Sequence, residues 1–202
     1  MPPRIIARQL SHPSGLLGRF VGHLMNRHNA GMNAFAVQQL DPKPSDRVLE
    51  IGFGGGASLP PLIGAAAFVA GVDLSSDAVE WAKARYSAAV ADGRADFRVG
   101  SVEALPFGAA AFDKACTVNT VYFWRSLAAG FAELHRVLSP GGRIVVGFLP
   151  KERMDRMNFP ADIFTSRAPE DVIAALTDND FKQARVERPD PKTKWNVVVA
   201  TR

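Results

Sequence analysis

The stretch Arg47-Val48-Leu49-Glu50-Ile51-Gly52-Phe53-Gly54-Gly55-Gly56 decides the fold of this chain. Its apolar first half is typical of a parallel strand that is buried on both faces. The glycines that follow allow positive φ angles and a close approach of backbone to a ligand, and a helix beginning there would direct free amides at an anionic group. Gly52, Gly54 and Ala57 also fit the dinucleotide pattern G-x-G-x-x-G/A. The motif alone therefore predicts an adenosine-bearing cofactor without specifying which one.

Length and composition favour a single catalytic domain with a modest extension. The 202 residues are 47% hydrophobic, which is enough to bury a substantial core. The single cysteine, Cys116, excludes an intramolecular disulfide and a cysteine-rich zinc site, so we predict no metal centre and a reducing compartment. No stretch approaches the roughly 20 apolar residues of a membrane span. We therefore expect a soluble, cytoplasmic protein.

The net charge of +4 originates in the N-terminal segment. Residues 1–47 hold six Lys or Arg residues against two acids, whereas the remainder holds 18 of each. This segment could face an anionic substrate or make transient contact with an anionic membrane surface. The alternative is a solvated face on a covering helix.

Apolar periodicity divides the chain into an N-terminal helical extension, residues 1–46, and an α/β domain, residues 47–202. Apolar residues spaced by three and four over residues 15–40 predict two helices with a break near Gly31. Strands and helices then alternate, as in a parallel sheet. The last two strands are joined only by a short turn at Pro189-Asp190-Pro191, so they must be antiparallel. We predict strands at 47–51, 68–73, 95–99, 112–118, 142–148, 181–188 and 194–201, and helices at 57–65, 76–90, 125–138 and 168–177.

Two local signals mark the ends of these elements. Ser76, followed by Glu80, predicts a capped helix start. Pro140-Gly141-Gly142 predicts a turn that ends one helix and begins the fifth strand.

Four blocks in order carry a resemblance to a known family. They are Leu49 to Gly56, Gly71 to Ser75, Gly100 to Phe107 followed by Phe112-Asp113, and Arg136 to Arg143. With these blocks the chain resembles the class I S-adenosylmethionine-dependent methyltransferases, within the group that includes the ubiquinone and menaquinone biosynthesis enzymes. One glycine motif is weak support, but four blocks in the correct order and spacing are strong. The resemblance implies a Rossmann-like, seven-stranded, mostly parallel sheet with a C-terminal antiparallel hairpin.

The resemblance also implies S-adenosylmethionine as cofactor and assigns residues to it. Gly52 and Gly54 would receive the methionine carboxylate, and Asp73 would accept both ribose hydroxyls, unless it only caps the following helix. Glu50 would order the loop or balance the cofactor's positive charges, unless it caps amides of the turn. The remaining predicted contacts are Leu74 on the adenine face, Ser101, Val102 and Glu103 near the adenine, and Asn119 near the methionine moiety. Ser101 departs from the family, which often has an acid there, and serine is a less strong acceptor.

The reaction implied is an in-line displacement at the methyl group, for which a dedicated base is optional. His23, His28 and Tyr122 are the side chains that could act as a base, although a structural or surface role is the alternative for each. The insert from Lys151 to Ala168 and the N-terminal helices would cover the cofactor and shape acceptor specificity.

The acceptor class can be narrowed. Asn119-Thr120-Val121-Tyr122 lacks the Asn/Asp-Pro-Pro-aromatic tetrapeptide of DNA amino-methyltransferases, and Cys116 lies within a predicted strand rather than on a catalytic loop. We therefore predict a small-molecule, hydrophobic or lipid-like acceptor and no nucleic acid. Two alternatives remain open: a nicotinamide-dependent oxidoreductase and a noncatalytic S-adenosylmethionine-binding protein. The sequence predicts no oligomeric state.

Overall fold

A seven-stranded sheet forms the centre of the protein, with the order β3-β2-β1-β4-β5-β7-β6. The computed structural model describes residues 4–15, 18, 24 and 29–202. The first five strands are parallel, and β7 runs antiparallel to both β5 and β6. The predicted fold class and the closing hairpin are therefore confirmed. The strands are β1 (Arg47–Ile51), β2 (Phe68–Asp73), β3 (Ala95–Val99), β4 (Phe112–Val118), β5 (Leu138–Phe148), β6 (Lys182–Glu187) and β7 (Asn196–Thr201).

Helices cover both faces of this sheet. One face packs against Phe131 and Leu134 of α6 and Val172 of α8, and the other packs against Met32 of α2 and Leu62 of α3. The described helices are α1 (Arg4–Ser11), α2 (Ala30–Leu40), α3 (Leu59–Ala65), α4 (Ser76–Arg85), α5 (Ser87–Ala91), α6 (Leu127–Val137), α7 (Lys151–Met157) and α8 (Pro169–Asp178). Within the described part of the chain, none of them is long and apolar enough to cross a bilayer.

Helix boundaries differ from the sequence prediction in several places. The predicted helix at 76–90 divides at Tyr86 into α4 and α5. Helices α1 and α7 had no predicted counterpart, because each is too short to show a helical period of apolar residues. The second helix of the pair predicted at 15–40 corresponds to α2, and most of the first lies outside the described residues. The domain boundary at residue 46 stays a prediction.

The fifth strand begins at Leu138, four residues before its predicted start. Pro140-Gly141-Gly142 lies inside this strand rather than in a turn that precedes it. The register changes there, because Phe112 pairs with Leu138 and Lys114 already pairs with Arg143. This irregularity accommodates the proline and the positive φ of Gly141 (78°) without ending the strand.

The order of the strands positions the functional site. β1 and β4 are adjacent, and the chain continues from β1 to β2 on one side and from β4 to β5 on the other, so these two connections run in opposite directions. A crevice opens at such a switch point, outside the carboxyl ends of the strands, and ligands of open α/β sheets bind there. Gly52, Leu74 and Asn119 directly follow β1, β2 and β4 at this edge.

The cap of α4 yields a stability prediction. The N-cap is Ser75, not Ser76, because the Ser75 hydroxyl accepts a hydrogen bond from the Ala78 amide at 3.1 Å. Ser75→Ala should lower the free energy of unfolding by about 1 kcal/mol, as measured by urea denaturation. The exposed neighbour is the matched control: Ser76→Ala should be within about 0.5 kcal/mol of the wild type. Equal losses in the two variants would contradict the assignment.

Candidate active site

A cavity of about 620 Å³ opens at the carboxyl edge of β1, β2 and β4. All nine residues predicted to bind the cofactor line it, and so does Tyr122, which the sequence named as one of three possible bases. The other two, His23 and His28, lie outside the described residues. The nine are Glu50, Gly52, Gly54, Asp73, Leu74, Ser101, Val102, Glu103 and Asn119. The structure brings them together, and their individual roles stay predictions.

The glycine turn has the backbone conformation that its sequence predicts. Gly52, Gly54 and Gly56 have φ angles of 67°, 48° and 70°, a region that other residues rarely adopt. A Cβ atom at Gly52 would also overlap the methyl group of Thr120, whereas one at Gly54 would meet nothing within 4 Å. Glycine is thus required at Gly52 by both conformation and space, and at Gly54 by conformation alone.

The helix after this turn offers fewer amides than the sequence prediction assumed. α3 begins at Leu59 rather than at residue 57 and has only seven residues. Pro60 and Pro61 occupy its first turn and carry no N–H group. Two of the donors that a helix normally presents at its start are therefore missing. Any anion at this edge depends more on the glycine turn than on the helix.

Asp73 joins the glycine turn to the end of β2. One carboxylate oxygen accepts from the Gly54 amide at 2.8 Å, and the other accepts from the Ser75 amide at 2.9 Å. Burial raises the pKa of Asp73, and these two hydrogen bonds oppose the rise. Because Ser75 caps α4, Asp73 is not the N-cap. A carboxylate has about four lone-pair sites, so two amide bonds leave each oxygen able to accept from a ribose hydroxyl.

Glu50 is the least satisfied polar group of the cavity. Its side chain is buried, and the Oε2 atom has no hydrogen-bond partner. Burial raises the pKa of Glu50 to about 8; a hydrogen bond from Ser58 opposes this rise, and the nearby Asp73 adds to it. No amide of the turn donates to Oε2, and the role of Glu50 stays a prediction.

The loop from Ser101 to Glu103, predicted to lie near the adenine, is organised by short-range hydrogen bonds. The Ser101 hydroxyl accepts from the Glu103 amide at 3.2 Å, and a Glu103 carboxylate oxygen accepts from the Ser126 amide at 2.9 Å. Glu103 therefore ties this loop to the residue that caps α6. Leu74 is 49% exposed although it lines the cavity, as expected for an apolar side chain that packs on a bound ring.

Tyr122 is held in a structural hydrogen-bond pair. Its hydroxyl accepts from the Leu149 amide and donates to the Asn119 carboxamide oxygen at 3.2 Å. Asn119 itself has a positive φ of 59°, and its amide donates to Gly147 at 2.7 Å. Burial raises the pKa of Tyr122 above its usual range. The phenol stays protonated at neutral pH, which argues against its role as a general base.

The sequence predicted only some of the residues that form the apolar end of the cavity. The rings of Phe159 and Phe164 stack with centroids 4.3 Å apart, and Phe123 meets Phe164 edge-on at 4.7 Å. Residues from α1 and the segment after it also line the cavity, and no sequence motif marked them. These residues are Gln9, Leu10, Ser11 and Pro13.

Comparison with known proteins identifies the family. A family profile described as a methyltransferase domain matches residues 49–146, which include the glycine turn, Asp73 and Asn119. Residues 49–146 are thus a methyltransferase domain of the class I S-adenosylmethionine-dependent type. Accordingly, S-adenosylmethionine is its cofactor. Neither the matched proteins nor the antiparallel end of the sheet supports the nicotinamide-dependent alternative.

Relatives of this methyltransferase include proteins of several kinds. The uncharacterized methyltransferase YdaC of Bacillus subtilis is 29% identical over 133 residues, covering 65% of this chain and 71% of YdaC. The ubiquinone/menaquinone biosynthesis C-methyltransferase UbiE of Geotalea daltonii is 29% identical over 115 residues, covering 55% of this chain. The O-methyltransferase cnsE of Penicillium expansum is 31% identical over 112 residues, covering 55%. The matches span 49% of UbiE and 41% of cnsE, about half of each.

Solved structures share the fold of this methyltransferase. The protein solved in complex with the Trm112 methyltransferase activator of Haloferax volcanii superimposes with a TM-score of 0.76 at 16% identity, over 100% of this chain and 98% of its own. The geranyl diphosphate C-methyltransferase of Streptomyces coelicolor, in complex with S-adenosyl-L-homocysteine, superimposes with a TM-score of 0.70 at 18% identity, over 87% of this chain and 77% of its own.

The two glycines of the turn should respond differently to alanine. Gly52→Ala adds a clash with Thr120 to the backbone strain, so it should lower the free energy of unfolding by about 3 kcal/mol. Gly54→Ala carries the strain alone and should lower it by about 1 kcal/mol. Chemical denaturation of both variants checks the order. A larger loss for Gly54→Ala would refute the account of the turn.

Glu50 should make stability depend on pH. Its pKa, about 8 in the folded chain, lies above its ordinary value of 4.5, so between these values the native state holds a proton that the unfolded state has lost. Its contribution to stability is therefore present at low pH and is lost as pH rises, by at most about 1.4 kcal/mol per pH unit. Glu50→Gln should flatten this decline in denaturation measured at pH 5, 6.5 and 8. If the free energy of unfolding falls equally with pH in the wild type and in Glu50→Gln, this prediction is wrong.

Proposed function

We propose that this methyltransferase transfers the methyl group of S-adenosylmethionine to a small apolar acceptor by in-line displacement. One observation carries the proposal: a single cavity has a glycine turn with buried acids at one end and a cluster of aromatic side chains at the other. A donor and an acceptor bound at these two ends would meet inside one enclosed space. Holding two reactants in line is a large part of what such a reaction requires.

The charges of the cavity support binding of a cationic donor. Among the described residues that line it, the acids are Glu50, Asp73 and Glu103, and the only Lys or Arg is Arg125. S-adenosylmethionine carries a sulfonium and an ammonium against one carboxylate, so it is a net cation. When bound, it supplies an electrophilic methyl group.

The apolar end supports an apolar acceptor. Met154 and Phe164 are buried, and Met157 is 38% exposed at the same wall. Pockets of this composition bind ligands mainly by apolar contact, with few polar groups to orient them. The aromatic walls would also exclude water from the transfer. The relative named for ubiquinone/menaquinone biosynthesis is consistent with an acceptor of this kind.

The proposal assigns positioning rather than proton transfer to the described residues. The glycine turn and Asp73 would hold the donor, and the rings of Phe123, Phe159 and Phe164 would orient the acceptor. Tyr122 would support the wall through Asn119 and Leu149. We assign no general base.

The localisation of the enzyme, its class of acceptor and the role of its N-terminal segment are also proposals. We infer a cytoplasmic enzyme that acts on a small molecule and not on nucleic acid. Residues 1–46 would form a cap on the methyltransferase domain at 47–202, supported by Leu10 at the cavity and by the Ser75 hydroxyl, which donates to the Pro13 carbonyl.

Two measurements test the function. Calorimetric titration with S-adenosylmethionine, S-adenosylhomocysteine and NAD should show binding of both sulfur compounds and none of NAD. Methyl-labelled S-adenosylmethionine, incubated with a panel of quinols, phenols and prenyl compounds, should then transfer label to an apolar member. Binding of NAD alone would overturn the proposal. Cofactor binding without transfer to any panel member would favour the noncatalytic alternative.

Variants at the two ends of the cavity should separate donor from acceptor. Asp73→Asn should weaken S-adenosylmethionine binding by about 1.5 to 3 kcal/mol, because it loses a charged acceptor, and should leave the acceptor KM unchanged. Phe164→Ala should raise the acceptor KM roughly three- to tenfold and leave donor affinity unchanged. Calorimetry gives the affinity for S-adenosylmethionine, and steady-state kinetics give the acceptor KM.

Phe181 provides the matched control for Phe164. It is a buried phenylalanine of the same core cluster that does not line the cavity. Phe181→Ala should cost stability without changing the acceptor KM. If it raises the KM as much as Phe164→Ala does, the aromatic end is not the acceptor site.

A further inference from the structure

Two irregular segments meet at the aromatic end of the cavity. The post-β4 loop, residues 119–126, connects β4 to α6, and the α7–α8 connection, residues 158–168, connects those two helices. The loop contributes Phe123 to the cavity wall, and the connection contributes Phe159 and Phe164. Neither segment belongs to a helix or to the sheet. Their placement therefore depends on packing and on hydrogen bonds outside regular secondary structure.

Arg167 joins these two segments. Its Nη2 atom donates to the Trp124 carbonyl at 3.0 Å, and its Nε atom donates to the Val121 carbonyl at 3.4 Å. Close to it in the chain, the Thr165 amide donates to the Tyr122 carbonyl at 2.9 Å. Three carbonyls of the post-β4 loop thus accept from the α7–α8 connection, and a single guanidinium donates to two of them.

The guanidinium of Arg167 is held by carbonyls rather than by an acid. Among the residues that the structure describes, no carboxylate forms an ion pair with it. Burial lowers the pKa of Arg167, and the charge of Asp171 opposes this fall. Arginine nevertheless stays charged at neutral pH, and its planar group presents several donors in a fixed geometry. Such a group holds two carbonyls at a fixed separation, and charge assistance strengthens each bond.

The bonded loop and the bonded connection both carry side chains of the cavity wall. Tyr122 and Trp124 line the cavity, and Phe164 directly precedes Thr165. Phe164 meets Phe123 edge-on with ring centroids 4.7 Å apart. Each of these two rings belongs to a different segment, so their contact depends on how the segments are held together.

Resting on the proposed function, we propose that Arg167 is a positioning residue of the methyl-transfer site: it fixes the α7–α8 connection against the post-β4 loop and so keeps the aromatic wall where it orients the acceptor. Arg167 does not itself line the cavity, and it lies outside residues 49–146, which the family profile matches. It acts on the acceptor through Phe164. The glycine turn and Asp73 follow other strands, so the donor end should not depend on it.

Arg167→Ala should weaken the binding of an apolar aromatic probe. 1-Naphthol is titrated by calorimetry into protein saturated with S-adenosylhomocysteine. Because the apparent Kd rises as the binding-competent fraction falls, it should increase about three- to tenfold when the wall is no longer held. The Kd of S-adenosylhomocysteine should stay within about twofold of the wild-type value. Equal affinity of Arg167→Ala and the wild type for 1-naphthol would overturn the proposal.

Arg143 provides the matched control. Its guanidinium also donates to a main-chain carbonyl, that of Gln39 at 2.8 Å, and it does not line the cavity. Arg143→Ala should leave the 1-naphthol Kd unchanged. If it raises this Kd as much as Arg167→Ala does, loss of any such arginine disturbs the wall and the specific role of Arg167 is wrong.

Added guanidinium distinguishes positioning from a general loss of stability. The ion can enter the space left by Arg167→Ala and donate to the same carbonyls. Guanidinium chloride, kept below the concentration that weakens the fold, should restore part of the 1-naphthol affinity of Arg167→Ala and none in Arg143→Ala. Guanidinium otherwise destabilises proteins, so this gain cannot come from general stabilisation. An equal effect of sodium chloride at the same ionic strength would contradict the assignment.

Hydrogen exchange tests the same contact without an acceptor. In the ligand-free protein, Arg167→Ala should speed amide exchange at Thr165, because its bond to Tyr122 lies beside the lost guanidinium, and Arg143→Ala should not. Unchanged exchange at Thr165 would overturn the proposal. Arg167→Lys keeps the charge without the planar donor group, and it takes the place of Arg167→Ala if that variant does not fold.

These measurements separate this inference from the function on which it rests. If the wild type does not bind S-adenosylhomocysteine, the proposed function fails. If it binds S-adenosylhomocysteine but not 1-naphthol, the apolar acceptor is wrong, and exchange at Thr165 decides whether Arg167 holds the wall. If both bind and Arg167→Ala changes neither affinity, the function stands and the role of Arg167 is wrong.

Discussion

The carboxylate of Asp73 is the contact on which the site depends. It accepts from Gly54 in the turn after β1 and from Ser75 at the start of α4, so one side chain joins two strands and a helix at the switch point of the sheet. Charge-assisted hydrogen bonds to backbone amides are stronger than neutral ones. They hold the glycine turn after β1 against the start of α4.

The two buried acids beside this turn, Asp73 and Glu50, differ in how the charge of the carboxyl group is compensated. Asp73 is paired with amide donors, so its charge is compensated within the fold. Glu50 has an unpaired oxygen and a neighbouring acid instead, and its charge is compensated only by protonation or by a ligand. A buried group that the fold leaves unsatisfied in this way is a specific indication of function, because stability alone would not maintain it.

The apolar end of the cavity is formed by other segments of the chain than the glycine turn and the two acids. Its walls combine the end of β4, the α7 segment and the N-terminal region, which are far apart in sequence. The stacked rings of Phe159 and Phe164 and the ring of Phe123 form one surface. Such loop-borne walls vary independently of the sheet, which explains how one fold serves acceptors of many kinds.

Local patterns explain the accuracy of the sequence prediction and its errors. Strands β1 to β4 were predicted to the residue. β2 is an apolar run of the kind typical of a buried parallel strand, and glycines directly follow β1 and β3 and mark their ends. The start of β5 was wrong because the Pro140-Gly141-Gly142 signal is the same for a turn and for an irregularity within a strand. Helices α1 and α7 were missed because, at eight and seven residues, each is too short to show a helical period of apolar residues.

By itself, the sequence determined the sheet and the glycine turn, because strand ends and glycine spacing are local properties, and its resemblance to a known family assigned the nine residues predicted to contact the cofactor. Only the tertiary structure decided what those residues do for one another. Asp73 bonds amides 19 residues before it and two after it, Tyr122 is held by Leu149, and Glu50 lies without a partner at Oε2. Burial and hydrogen bonding depend on which distant segments meet, and no local pattern encodes that.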